Sequence, residues 1–161
     1  MEAYLDIETT GLSQYTSNIT VIGIYKQTSQ GYELIQLVGD GISSESVLQA
    51  IEGIDTLYTY NGARFDLPFI EAKLCISLQS LMDHQDLMHD CWRQNLYGGL
   101  KAVERRLHIA RDTKDITGLE AISLWWRYIR QGDEAALRTL LAYNREDVVN
   151  LKELKERLRG S

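Results

Sequence analysis

The sequence predicts an α/β fold built around a mixed central sheet. Two β-rich runs, NITVIGIYKQ and GYELIQLVG, are separated only by TSQ, and the turn TSQG between them indicates an antiparallel hairpin. Strand and helix patterns then alternate through the middle of the chain, and the second half carries mostly helical periodicity. Together these three observations predict a sheet with an antiparallel part, accompanied by helices.

Taken in order, the first element is the strand-like stretch LDIETTG near the start of the chain. The hairpin follows it, and Ser43 can then cap a helix that extends to about Ile51. The stretch IDTLYTYN is typical of another strand, and the turn residues Asn61 and Gly62 end it.

The later elements are mostly helical. A helix is expected from about Asp66 to Leu74, because a proline is tolerated in the first helical turn and Pro68 lies there. A short strand is expected near residues 84–87. Further helices are expected to begin near Met88, Leu100, Gly118 and Asp133, with Thr117 and Glu120 spaced as a capping box before the third of these.

Length and composition predict a single soluble domain over residues 1–161. Hydrophobic residues make up 44% and charged residues 25% of the chain, and no run approaches the roughly 18 apolar residues of a membrane span. The spacing of Cys75 and Cys91 argues against a disulfide framework, so we expect reduced thiols and a cytoplasmic protein without a secretory signal. The net charge of -6 argues against a long basic surface for nucleic acid, but allows an enzyme that holds a few nucleotides through metal ions.

Two acidic residues share one face of the first strand. Because side chains alternate between the faces of a strand, Asp6 and Glu8 lie on one face while Leu5 and Ile7 lie on the other. Adjacent carboxylates repel each other, so that face must either be washed by solvent or have a positive charge over it. Taken alone, the pair is explained more simply by a solvated strand.

A third acid lies on the last helix, which is expected from about Asp133 to Leu158. Asp147 falls within the apolar stripe of this helix, and Tyr143 lies one turn earlier on the edge of the stripe. Burying an ionised carboxylate alone is very costly, so Asp147 must be paired with a base, protonated or bound to a metal. The stripe consists of Leu137, Leu140, Leu141, Val148, Leu151, Leu154 and Leu158.

A fourth acid, Asp66, lies in the stretch YNGARFDLPFI. With DIETTG before it and YNREDV after it, this stretch resembles the three motifs of the DEDD superfamily of 3′→5′ exonucleases, in the right order. The third motif of that superfamily has a histidine five residues before the last aspartate or a tyrosine four residues before it. Here those positions are Ala142 and Tyr143, so the chain resembles the tyrosine form, DEDDy.

The resemblance covers nearly the whole chain. The segments GGLKAVERRLHIAR, TGLEAISLWWRYIRQGDEAAL and YNREDVVNL are similar to the YprB-like family of stand-alone RNase H-like exonucleases. This resemblance implies an RNase H-like fold, in which a mixed sheet with an antiparallel hairpin carries helices on both faces. It also implies a 3′→5′ exonuclease that trims single-stranded DNA or RNA from the 3′ end and releases nucleoside 5′-monophosphates.

The implied chemistry requires oxygen ligands for metal. Phosphodiester hydrolysis needs an activated water and charge neutralisation on the attacking and leaving oxygens, which two divalent ions supply. Carboxylates suit Mg²⁺ or Mn²⁺, because these hard cations prefer oxygen. The resemblance implies that Asp6 bridges both ions, that Glu8 and Asp147 complete the site of the nucleophilic water, and that Asp66 holds the second ion partly through water.

Four further residues are candidates beside the acids. The resemblance implies that Tyr143 orients the attacking water, and Thr9, Asn61 and Phe65 are candidate substrate contacts. Simpler roles remain open at this point. Asp66 could serve only as a helix cap, Tyr143 could only pack its ring, and Asn61 could serve the turn alone.

Other polar and aromatic groups stay outside the predicted site. His84, Asp86 and His89 match no strong metal-binding pattern and are better explained as satisfied groups at a strand end. Trp125 and Trp126 could stack on bases, but core packing is favoured for at least one of them, since their helix is otherwise apolar on one side.

One basic cluster, made of Arg105, Arg106, Arg111 and Lys114, has two equally good interpretations. It could hold substrate phosphates or form a solvated face. Two alternative functions also remain open, namely a catalytically inactive nucleic-acid-binding module with an RNase H fold and an RNase H-fold endonuclease. The sequence indicates no protein partner and does not distinguish DNA from RNA.

Overall fold

The computed structural model describes residues 1–160. Its strands are β1 (Glu2–Thr9), β2 (Ile19–Thr28), β3 (Gly31–Val38), β4 (Thr56–Thr59) and β5 (Asp83–Asp86). Its α-helices are α1 (Ser44–Ala50), α2 (Asp66–Leu74), α3 (Leu87–Arg93), α4 (Leu100–Arg106), α5 (Gly118–Gln131) and α6 (Glu134–Arg159). The expected elements are therefore present, with their ends displaced by one or two residues in several cases.

The five strands form one mixed sheet in the order β3-β2-β1-β4-β5. β1 pairs with β2 and β2 with β3 in antiparallel fashion, whereas β4 runs parallel to both β1 and β5. Parallel neighbours require crossover connections, and α1 lies between β3 and β4 while α2 lies between β4 and β5. The predicted mixed sheet with an antiparallel hairpin is confirmed.

Helices cover both faces of this sheet. Ala3, Leu5 and Ile7 of β1 point to one face, where they pack with apolar residues of α1 and α2. Tyr4 points to the other face and packs in a cluster that includes residues of α3, α4 and α6. Asp6 and Glu8 have the same parity as Tyr4, so the alternation of β1 directs the two acids toward the side of α6.

The helix ends confirm part of the capping prediction. Thr117 Oγ1 accepts a hydrogen bond from the backbone N–H of Glu120 at 3.1 Å, which supplies one half of the expected capping box before α5. A complete capping box occurs instead at α1, where Ser43 and Ser46 each accept the other's backbone N–H. Among the described helices, none combines the length and apolar composition needed to cross a bilayer.

α6 approaches the sheet closely over the middle of β2. Gly23 of β2 is paired with Asp6 on one side and with Gln36 on the other. A Cβ atom built on Gly23 would lie 2.2 Å from Oδ1 of Asn144, a residue of α6. Because Gly23 has no side chain, Asn144 can occupy the space above it. Asn144 therefore lies over the row of paired residues that contains Asp6.

Candidate metal centre

Three of the four predicted acids meet between β1 and α6. Asp6, Glu8 and Asp147 each offer a carboxylate oxygen, and these three oxygens all lie within 4.8 Å of one another. β1 supplies two of them because its side chains alternate, and α6 supplies the third from its sheet-facing side. The structure thus brings together acids from the first and last elements of the described chain.

Asp66 lies close to these three acids without joining their group. It is the first residue of α2, and Phe65 occupies the N-cap position, so Asp66 is not the cap that one simple explanation required. Its side chain is 3% exposed, and Oδ2 accepts the backbone N–H of Ile7 at 2.9 Å. This bond ties the start of α2 to β1 between Asp6 and Glu8.

Burial raises the pKa values of all four acids, and the charges of neighbouring carboxylates add to the rise for Asp6, Glu8 and Asp66. Burial is the largest cause for Asp6, followed by the charges of Asp147 and Glu8, and the pKa of Asp6 lies well above its usual value. Burial and then the charge of Asp147 raise the pKa of Glu8 in the same way. Burial raises the pKa of Asp66 to about 7, although the N–H of Ile7 opposes the shift.

Asp147 has a cationic partner that the other acids lack. Nη2 of Arg111 donates to Oδ1 of Asp147 at 2.5 Å. Burial still raises the pKa of Asp147, and the guanidinium of Arg111 is the main influence that opposes this rise. One of the three options set out for a buried carboxylate, pairing with a base, is therefore realised in the structure.

Arg111 is itself fixed from its other side. Its Nε and Nη2 donate to the two carboxylate oxygens of Glu104 at 2.8 and 3.0 Å, and Asn150 of α6 donates to Glu104 as well. Glu146 of α6 accepts the backbone N–H groups of the two residues that follow Arg111. The loop after α4 is therefore fastened to α6, with the guanidinium held beside Asp147.

This arrangement corrects the prediction for the basic cluster. The side chain of Arg111 is 4% exposed and lies in two ion pairs, so it belongs neither to a solvated face nor to a free phosphate-binding surface. Arg105, Arg106 and Lys114 are exposed, and for them both interpretations remain open. The sequence could not separate Arg111 from its neighbours, because its partners come from α4 and α6.

Tyr143 lies against the acidic group and beneath two cations. It is 8% exposed, and burial together with the charges of Asp147 and Glu8 raises its pKa. Nζ of Lys101 lies 5.1 Å from the centre of its ring, and the Arg111 guanidinium lies 5.8 Å away. The phenol therefore remains protonated near neutral pH, as a residue that donates a hydrogen bond requires.

The turn that precedes Asp66 is held by a buried acid that the sequence analysis left aside. Asp86 accepts the backbone N–H groups of Asn61, Ala63 and Met88 at 2.8 to 3.2 Å. Asn61 has a φ of 62°, a conformation that asparagine tolerates better than most residues. Asp86 is therefore a satisfied group at a strand end, as expected, and it also fixes the turn that leads to α2.

The three candidate substrate contacts lie at different positions around the acids. Thr9 ends β1, and its Oγ1 donates to the carbonyl oxygen of Gly11 at 2.6 Å. Asn61 lies in the turn fixed by Asp86, and Phe65 packs edge-on against Phe69 with ring centres 5.5 Å apart. Contact with substrate remains a prediction for all three residues.

The two neighbouring tryptophans divide as expected. Trp125 is buried in a cluster with residues of α5 and α6, which confirms core packing for one of the pair. Trp126 is half-buried at the edge of that cluster, and the guanidinium of Arg130 lies 4.5 Å from its ring centre. Neither contact requires a nucleobase.

Asn144 is a site residue that the sequence analysis missed. It directly follows Tyr143, is fully buried, and its Nδ2 lies 3.2 Å from the backbone oxygen and 3.3 Å from Oδ2 of Asp6. Its position in the stretch YNREDV was the available signal, because a polar amide on the sheet-facing side of α6 requires partners.

The raised pKa values predict how the metal-free protein responds to pH. The folded state holds these protons to higher pH than the unfolded chain, so its free energy of unfolding should fall as the pH rises from about 4 through about 7, the pKa of folded Asp66. Asp6→Asn removes one of the repelling charges and should flatten this fall. Urea unfolding of both proteins in chelator at several pH values measures how their free energies of unfolding change with pH. The lowered pKa of His84 gives an opposite slope in both proteins and cancels in the comparison. Parallel curves for the two proteins would contradict the expectation.

Loss of the Arg111 guanidinium should destabilise the fold. Arg111→Gln leaves Glu104 and Asp147 without their cation, and breaking a buried ion pair from one side costs about 3 to 5 kcal/mol. The exposed Arg105 provides a matched control, since Arg105→Gln should change the free energy of unfolding by about 0.5 kcal/mol or less. Urea unfolding in chelator compares the two variants. Equal stability of both would show that the buried pair contributes nothing.

Comparison with known proteins agrees with this architecture. A family model described as the RNase_H superfamily matches residues 3–159. The YprB protein of Bacillus subtilis (strain 168) is 27% identical over an aligned length of 163 residues, and the match covers 92% of this chain and 39% of YprB. The chain therefore spans well under half the length of this curated relative.

Solved structures with the same fold include two kinds of protein. The family B DNA polymerase of the hyperthermophilic archaeon Pyrobaculum calidifontis matches 98% of this chain and 24% of its own, with 16% identity and a TM-score of 0.72. NrnC of Brucella melitensis matches 99% of this chain and 72% of its own, with 21% identity and a TM-score of 0.67. NrnC structures with pGG and with Mg²⁺ match with TM-scores of 0.67 and 0.64, at 20% and 19% identity.

At these identities the structural matches bear on the fold alone. They agree with the five-stranded mixed sheet and its helices on both faces. The RNase H-like resemblance found in the sequence, and the likeness to YprB, are confirmed. Because the family model spans almost every described residue, the chain belongs to the RNase_H superfamily.

Proposed function

We propose that this chain is a metal-dependent 3′→5′ exonuclease of the DEDDy type, acting on single-stranded nucleic-acid ends. The observation that carries the proposal is the convergence of Asp6, Glu8 and Asp147, whose oxygens lie within 4.8 Å of one another. A structural role alone would not explain why three carboxylates with raised pKa values are kept together.

The chemistry of the donor set fits divalent ions. The acids offer only oxygen atoms, which suits Mg²⁺ or Mn²⁺ better than softer metals. Asp6, Glu8, Asp147 and the nearby Asp66 would hold two such ions. When bound, these ions would lower the pKa of a water molecule and neutralise charge on the phosphate. The Mg²⁺ bound to NrnC, a protein of the same fold, agrees with this choice.

The residues of the chain have distinct roles in this proposal. Asp6 lies centrally, because its pKa responds to each of the other three acids. Asp147 is held by Arg111 on one oxygen, which fixes the direction of its carboxylate. Tyr143, buried beside these acids, would donate its hydroxyl proton in a hydrogen bond to the attacking water and so orient it toward the phosphorus.

The substrate is proposed to be a single-stranded DNA or RNA 3′ end. NrnC, which shares the fold, has been solved with bound pGG, and this supports a short nucleic-acid strand as ligand. Thr9, Asn61 and Phe65 would contact it, because they lie at the end of β1 and before α2, where the acids are also found. Residues 1–161 would form one catalytic domain. The free state of Cys75 and Cys91 supports a reducing compartment such as the cytoplasm.

A labelled-substrate assay tests the proposal. Single-stranded RNA and DNA oligonucleotides labelled at the 5′ end should shorten stepwise from the 3′ end when the protein is incubated with Mn²⁺ or Mg²⁺. Chelator should abolish the shortening, and Asp6→Asn should reduce it by about a thousandfold or more, since one lost metal ligand removes several kcal/mol of charge stabilisation. Internal cuts would instead indicate an endonuclease, and binding without cleavage would indicate an inactive nucleic-acid-binding module.

Tyr143→Phe separates the role of the tyrosine from metal binding. The change removes one hydroxyl and leaves all four acids in place, so kcat should fall by about a hundredfold while the metal concentration for half-maximal activity changes little. Leu137→Met, on the same helix, provides a conservative control that should retain activity. Full activity of Tyr143→Phe would remove the hydroxyl from the mechanism.

A further inference from the structure

The side-chain amides of Gln36 and Asn144 form a chain of hydrogen bonds that leads from β3 to Asp6 on β1. Asp6, Gly23 and Gln36 occupy one row of the sheet, on β1, β2 and β3. Asn144 of α6 lies above the central position of this row, in the space left by Gly23. It therefore reaches Gln36 on one side and Asp6 on the other.

The hydrogen-bond pattern fixes which way each amide points. Nε2 of Gln36 donates to the backbone oxygen of Leu141 at 2.9 Å, and a carbonyl oxygen can only accept. The same nitrogen donates to Oδ1 of Asn144 at 3.0 Å. The nitrogen of Asn144 must consequently face the other way, toward β1. There it meets the backbone oxygen of Asp6, a second group that can only accept.

The side-chain nitrogen of Asn144 is thereby directed at Asp6. Nδ2 lies 3.3 Å from Oδ2 of Asp6. One buried amide thus contacts the carboxylate of Asp6, which lacks the arginine partner that Asp147 has.

We infer that Asn144 is a positioning residue that orients the carboxylate of Asp6 for metal, and that Gln36 orients Asn144. The inference rests on the proposed metal-dependent function. It assigns the specific geometry of the site to a residue that would touch neither metal nor substrate. The edge strand β3 supplies none of the four acids of the site, yet through Gln36 it helps to orient Asp6, one of the proposed metal ligands.

This role predicts a change in metal affinity. Removing a partner that orients a metal ligand typically lowers affinity about 10- to 100-fold. Asn144→Leu keeps a similar volume and removes all three hydrogen bonds of the amide. Metal binding is measured as the Mn²⁺ concentration that gives half of the metal-induced rise in melting temperature. In this variant we expect that concentration to be about 10- to 100-fold higher than in the parent. Gln36→Leu frees Asn144 without touching an acid, so it should produce a smaller change in the same direction.

The control separates orientation from stability. Leu154 is fully buried on the same helix, in the apolar cluster that contains Tyr4 and no member of the acidic group. Leu154→Ala should lower the melting temperature in chelator, yet leave the half-saturating Mn²⁺ concentration within about twofold of the parent, because the ligands are unchanged. A purely structural Asn144 would make Asn144→Leu behave like this control.

The outcomes distinguish the inference from the proposed function. A parent protein that responds to Mn²⁺, with Asn144→Leu responding at the same concentration, overturns the inference and leaves the function intact. If Asn144→Leu does not fold, Gln36→Leu decides, and an unchanged Mn²⁺ requirement in that variant overturns the inference. A parent that gains no stability from Mn²⁺ and cleaves no oligonucleotide overturns the proposed function, and with it the role of Asn144.

Discussion

Keeping several carboxylates together in a partly buried group is the constraint on which the rest of this structure depends. Three of the acids meet the constraint through different neighbours. Arg111 pairs with Asp147, the backbone N–H of Ile7 binds Asp66, and Asn144 donates to Asp6. These neighbours come from a loop, a strand and a helix, so the packing of all three kinds of element is tied to the acids.

The supports of the site continue outward beyond these neighbours. Glu104 holds Arg111 and is held in turn by Asn150, so a polar network links α4, the following loop and α6. Asp86 plays a comparable part for the turn before α2, since it accepts three backbone N–H groups. Buried polar groups whose hydrogen bonds are satisfied make the segments they join more rigid, and here they hold the loops that flank the acids.

The sequence predicted the parts that follow from periodicity. The shared face of Asp6 and Glu8 follows from the two-residue repeat of a strand, and the inward direction of Asp147 follows from the apolar stripe around it. The same reasoning could not identify Arg111 as a buried partner, because a loop has no repeat and its ion pairs join distant parts of the chain. Asn144 was missed for a related reason, since its role depends on the register that brings Gln36 beside Gly23.

The bond between Asn144 and Asp6 joins residues that are 138 positions apart in the chain. Contacts of such long sequence separation slow folding, because a large loop must close before they contribute any stability. While α6 is undocked, β1 presents Asp6 and Glu8 without Asp147, Tyr143 or Asn144. A chain in that state would therefore hold only part of the proposed set of metal ligands.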